Sequence, residues 1–117
     1  ILASARPRLV ITYRLPKPDG TLAEPAKSLW ATFIAGVEKH ERVHGEIIRD
    51  MTRRIEAASV GLTRPDDRDC NKVRAALQAA LPAIVEERNT RNRDFDRKEL
   101  SEGGAVHQLI LALVDPR

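Results

Sequence analysis

A predominantly helical α+β fold, with a long αα-hairpin preceded by a short N-terminal strand, is predicted by three features of the sequence. Residues 8–15, RLVITYRL, alternate; residues 26–60 carry an apolar stripe at helical spacing; and TRPD, Thr63 to Asp66, opens a second helical pattern soon after Gly61.

In the first segment Leu9, Ile11, Tyr13 and Leu15 fall on one side and Arg8, Val10, Thr12 and Arg14 on the other, the two-residue period of a half-buried strand. A lone strand is unstable, so a partner is expected from the C-terminal segment, another chain or upstream sequence. PKPDGTLAEP follows as a turn-rich connection with Pro16, Pro18 and Asp19-Gly20.

From Ala26 to Val60, Trp30, Phe33, Val37, His40, Glu41, His44, Ile48, Met51 and Ile55 form one stripe, which turns both histidines inward. Gly61 suits the left-handed position just past a helix end. Thr63, with an acidic residue three positions on, suits an N-cap, so the second helix is expected within a few residues. It should bury Cys70, Val73, Leu77, Leu81, Ile84 and Val85, be kinked or split at Pro82, and continue to Arg88 or beyond. So short a turn predicts an antiparallel hairpin with residues 80–84 facing His40 and His44. NTRNRDFDRKELSEGG leaves the hairpin and breaks at Gly103-Gly104. The final AVHQLILALV suits a short helix better than a strand pairing with residues 8–15, because Ala, Leu and Gln favour helix.

Bulk composition narrows the function classes. A chain of 117 residues, 42% hydrophobic and 32% charged, reads as one domain over residues 1–117. The net charge of +3 is dispersed, and the arginines at 88, 91, 93 and 97 are interrupted by Glu86, Glu87, Asp94 and Asp96. A solvated face is expected there, not a nucleic-acid site. No apolar run reaches the roughly 20 residues of a membrane span. The start ILASARPR has neither a methionine nor a full signal-peptide pattern, as in a processed or truncated chain. Cys70, alone in the sequence, reads as a small core residue.

The chemistry concentrates in HERVH, residues 40–44. Side chains four apart on a helix stand one above the other, so His40 and His44 can converge on one ion. Catalytic zinc takes three protein ligands and keeps one position open. Glu41, offset by one residue, would then accept a proton from water as general base, the metalloprotease reading of His-Glu-x-x-His. The plainer alternative is a charged helix in which Glu38 pairs with Arg42 and His40 is a satisfied core histidine. Against it, two inward histidines would hold ring nitrogens in need of partners, at about 1–3 kcal/mol for each left unsatisfied.

With its tryptophan ten residues before the motif, its HERVH helix and the later CNKVRAAL, the sequence resembles the predicted secreted zinc-dependent proteases of bacteria. The resemblance covers residues 30–104 and implies a zinc ion, a peptide or protein substrate, and a secreted or periplasmic location. Asn92 and Asp96 fit the family's downstream pattern, as does Gly103 with one residue inserted. Phe95 replaces the family's tyrosine, and Ser101 or Glu102 stands where its downstream histidine would be, which removes the expected third ligand.

The candidates for that ligand are Glu102, beside the Gly103-Gly104 pair that permits close approach, and His107, the remaining histidine. Asp96 ranks behind them, as an outer partner to an imidazole, and Glu99 is also available. The favoured function is zinc-dependent peptide hydrolysis. The alternative is a non-catalytic helical interaction module that keeps the motif as a structural or vestigial metal site.

Overall fold

The computed structural model describes residues 4–115 and contains three helices: α1 (Ala26–Ser59), α2 (Asn71–Leu100) and α3 (Ala105–Val114). The described residues pack as two units, one of residues 4–10 with 46–91, the other of residues 11–45 with 92–115. In each, a stretch of α1 lies against an antiparallel stretch of α2.

No strand forms among the described residues, which corrects the expected N-terminal strand and the α+β class. The physical reason is the missing partner: the C-terminal segment that could have paired is helical and keeps its backbone bonds to itself. The alternation nevertheless persists in burial. Leu9, Ile11, Tyr13 and Leu15 are half-buried, whereas Arg8, Val10, Thr12 and Arg14 are exposed. The pattern therefore reported which side packs, not that a ladder forms.

Helix α1 follows the expected stripe, every member of which is buried or half-buried. It ends with Gly61 at φ +68°, a conformation that a Cβ would oppose. The second helix starts later than expected. Asp66 and Cys70 have φ values of +51° and +62°, which excludes a helix across residues 66–70, and α2 begins at Asn71. Its cap is not Thr63. The Asp67 carboxylate accepts the backbone N–H groups of Lys72 at 2.8 Å and Val73 at 2.9 Å, two of the donors that a helix start leaves unpaired. Helix α2 is continuous through Pro82, so of the expected kink or split the split does not occur. The lost N–H bond is local, and the half-buried Leu81, Ile84 and Val85 flank it.

In the first unit Val73 is wholly buried and Ile47 is 5% exposed. Here Asp50 accepts from Arg91 at 2.6 Å and from Arg54 at 3.2 Å, and Arg54 also pairs with Glu87. Ser59, fully buried, accepts the Ala5 N–H at 2.5 Å and donates to the Glu56 carbonyl at 2.6 Å, so both sides of its hydroxyl are used.

In the second unit α3 packs on α1 through Gly36, where a Cβ would stand 2.2 Å from Leu109 Cδ1. The Tyr13 hydroxyl closes on Gly45 in the same way, 1.9 Å from where a Cβ would lie. Val106 is the buried apolar residue of α3. No helix among the described residues is long and apolar enough to cross a membrane.

The Asp67 cap makes a pH prediction. Desolvation raises the pKa of this carboxyl, but the two backbone donors and the nearby Lys72 charge outweigh it and hold the pKa below its ordinary value. A lowered folded-state pKa contributes stability that is complete above the unfolded value of about 3.9 and is lost as pH falls through the lower folded value. Asp67→Ala, which removes both acceptor oxygens, should therefore lower the melting temperature at pH 6, and the difference should shrink as pH falls below the ordinary carboxyl range. Equal melting temperatures at pH 6 would show that the cap does not hold α2.

Candidate metal centre

His40 and His44 lie in the middle of α1, on the face turned to α2 in the second unit. Opposite them stand Asn92, Phe95, Asp96 and Glu99, spaced along α2 so that all four fall on one helical stripe. The expected register is thus corrected: residues 92–99, not 80–84, face the histidines. The non-helical linker at residues 60–70 consumes the chain that a short turn would have left to α2.

The register brings one carboxylate to both rings. Asp96 Oδ1 lies 2.9 Å from His40 Nε2 and 2.6 Å from His44 Nε2. Among the described residues, His40, His44 and Asp96 form a group whose ligand atoms all lie within 4.8 Å of one another. His40 is 7% exposed, as buried as the apolar core.

Two further contacts orient the rings. His44 Nδ1–H donates to Asn92 Oδ1 at 2.7 Å, which leaves Nε2 directed at Asp96. Phe95 stacks on His40, with ring centroids 4.6 Å apart and planes at 19°, and meets His44 edge-on at 5.3 Å and 80°. Offset stacking and edge contacts of this kind fix ring planes and contribute about 0.5–1.5 kcal/mol each. Burial lowers the His44 pKa, but hydrogen bonds to Asn92 and Asp96 and the charges of Asp96 and Glu41 outweigh it and raise the value. His44 therefore holds its proton more readily than a free imidazole.

Two imidazoles and a carboxylate are a donor set that catalytic zinc uses, and His40 Nδ1 is a buried polar atom without a hydrogen-bond partner. The 2.6 and 2.9 Å separations are hydrogen-bond lengths, shorter than the roughly 3.3 Å edge of a tetrahedral zinc site. Asp96, its side chain 46% exposed, has room to withdraw by that difference. The residues present fit the ion.

Glu41 is half-buried beside the histidines and its charge reaches His44. Glu102 and His107 are not in the group. Glu102 is exposed in the turn after α2, and His107 Nδ1 accepts the Gly103 N–H at 3.2 Å. The structure thus brings together the two histidines and the lower-ranked Asp96. Asn92 as the partner of His44 was not drawn from the spacing, although the 92–96–99 periodicity carries the signal once the register is known.

Residues 1–104 match the family model described as a bacterial protein of unknown function (DUF922), and the chain belongs to that family. Searches of curated proteins and of solved structures gave no match.

Proposed function

We propose that this protein is a zinc-dependent metallopeptidase whose ion is held by His40, His44 and Asp96. The observation that carries the proposal is the convergence of those three side chains on one point, beside a glutamate set one residue after the first histidine. Zinc bound there would supply a Lewis acid that polarises a carbonyl oxygen and acidifies water. The other roles belong to the chain itself. Glu41 takes a proton from water and returns it to the leaving amine. Asn92 holds His44 in the tautomer that leaves Nε2 free, and Phe95 holds the planes of both rings. The peptide bond as substrate rests on the His-Glu-x-x-His motif and on the resemblance that goes with it.

A second reading is favoured by one observation. Asp96 already lies within hydrogen-bond distance of both Nε2 atoms, so the cluster is polar-satisfied there without catalysis. On that reading the module is structural.

Elemental analysis of dialysed protein should find close to one zinc per chain, and an unfolded protein substrate should be cleaved in a chelator-sensitive way. Absence of zinc overturns the proposal. Zinc without cleavage leaves the structural module.

A further inference from the structure

We propose that Glu99 is a positioning residue that accepts a hydrogen bond from His40 Nδ1–H when a metal occupies Nε2, and that it thereby ties metal binding to the seating of α3. The inference rests on the metal reading above and extends it to a residue outside the ligand group.

It starts from the orphaned atom. His40 Nδ1 is buried and has no hydrogen-bond partner. With Nε2 directed at the Asp96 oxygen, a neutral His40 carries its proton on Nε2 and leaves Nδ1 as a bare lone pair. A metal ion at Nε2 reverses this. The proton must then sit on Nδ1, and a buried N–H without an acceptor is costly. Glu99 Oε1 stands 3.7 Å away, outside hydrogen-bond range but able to close by a small side-chain rotation. Its side chain is 16% exposed, so water competes poorly for that proton. Carboxylates commonly fill this place behind metal-bound imidazoles.

The second oxygen of the same carboxylate is engaged elsewhere. Glu99 Oε2 accepts the N–H of Ala105, the first residue of α3, at 3.2 Å. Gly104 makes this possible, since a Cβ there would stand 2.2 Å from the Lys98 carbonyl oxygen and 2.5 Å from that of Glu99. Gly103, at φ +83°, supplies the reversal of the chain. Helix α3 in turn meets α1 at Gly36, one turn before His40, through Leu109. One carboxylate therefore bridges the imidazole and the start of the helix packed beside it. A proton gained at Nδ1 fixes Glu99 from one side and makes its bond to Ala105 more persistent.

The test uses the full chain as wild type, Glu99→Ala and Glu99→Gln. Zinc affinity is read by competition with a chromophoric chelator, and exchange of the Ala105 amide is read with and without zinc. Glu99→Ala should weaken zinc by about 10-fold or more. Glu99→Gln, whose amide oxygen still accepts from Nδ1–H, should recover part of that loss. Zinc should slow Ala105 exchange several-fold in the wild type and not in Glu99→Ala. Should Glu99→Ala fail to fold, the Glu99→Gln affinity and the wild-type exchange still decide the matter.

Wild-type zinc affinity in both variants, or Ala105 exchange indifferent to zinc, overturns the inference and leaves the metal site standing. A loss in Glu99→Ala as deep as that in Asp96→Ala makes Glu99 a ligand and overturns its positioning role. A wild type that binds no zinc overturns the metal reading and this inference together.

Discussion

Asp96→Ala is expected to strip zinc from the chain, with a loss of affinity beyond the roughly 10–100-fold that removal of an outer partner costs. The reason is geometric. Asp96 contributes the oxygen on which both Nε2 atoms converge, and two imidazoles on one helix leave half of a four-coordinate ion's positions without protein ligands. His40→Ala and His44→Ala should lose zinc as deeply, whereas Glu102→Ala and His107→Ala should retain it, because neither side chain joins the group. Competition titration with a chelator measures all five variants. Retention of zinc by Asp96→Ala together with loss in Glu102→Ala or His107→Ala would move the third ligand to the turn after α2. The apo forms should also melt lower than the zinc-loaded wild type, since a ligand that binds only the folded state stabilises it. That effect should be prominent here: Ile47, Val73 and Val106 are the buried apolar residues among those described, so a bound ion would supplement a small hydrophobic contribution.

Glu41→Gln separates the two readings of the site. The amide has nearly the same shape but cannot take a proton from water, so zinc content should be unchanged while hydrolysis of an unfolded protein substrate falls by about 10²–10⁴-fold. Zinc content and cleavage rate measured on the same preparation give the comparison. Cleavage at the wild-type rate would remove Glu41 as the base and with it the mechanism proposed.

Helices α1 and α3 were legible in the sequence because their signals are local. The stripe from Trp30 to Ile55 is a property of one helix, and the four-residue spacing of His40 and His44 places both rings on one face whatever lies opposite. The helical preference of AVHQLILALV was likewise local and correct. Alternation in residues 8–15 correctly reported which side packs, but a strand is a relation between two segments, and its partner is not encoded in its own pattern.

The register of the hairpin was not legible, and with it went the third member of the site. Thr63 and Asp67 are both acceptable caps by residue type; the positive φ values at Asp66 and Cys70 decide between them. That choice moves the start of α2 to Asn71 and so exchanges the apolar residues 80–84 for Asn92, Phe95, Asp96 and Glu99 opposite the histidines. Sequence by itself thus determined two inward imidazoles and a neighbouring glutamate on one helix. Tertiary structure alone decided which carboxylate meets them, because a contact between residues more than fifty positions apart depends on the length and conformation of everything that connects them.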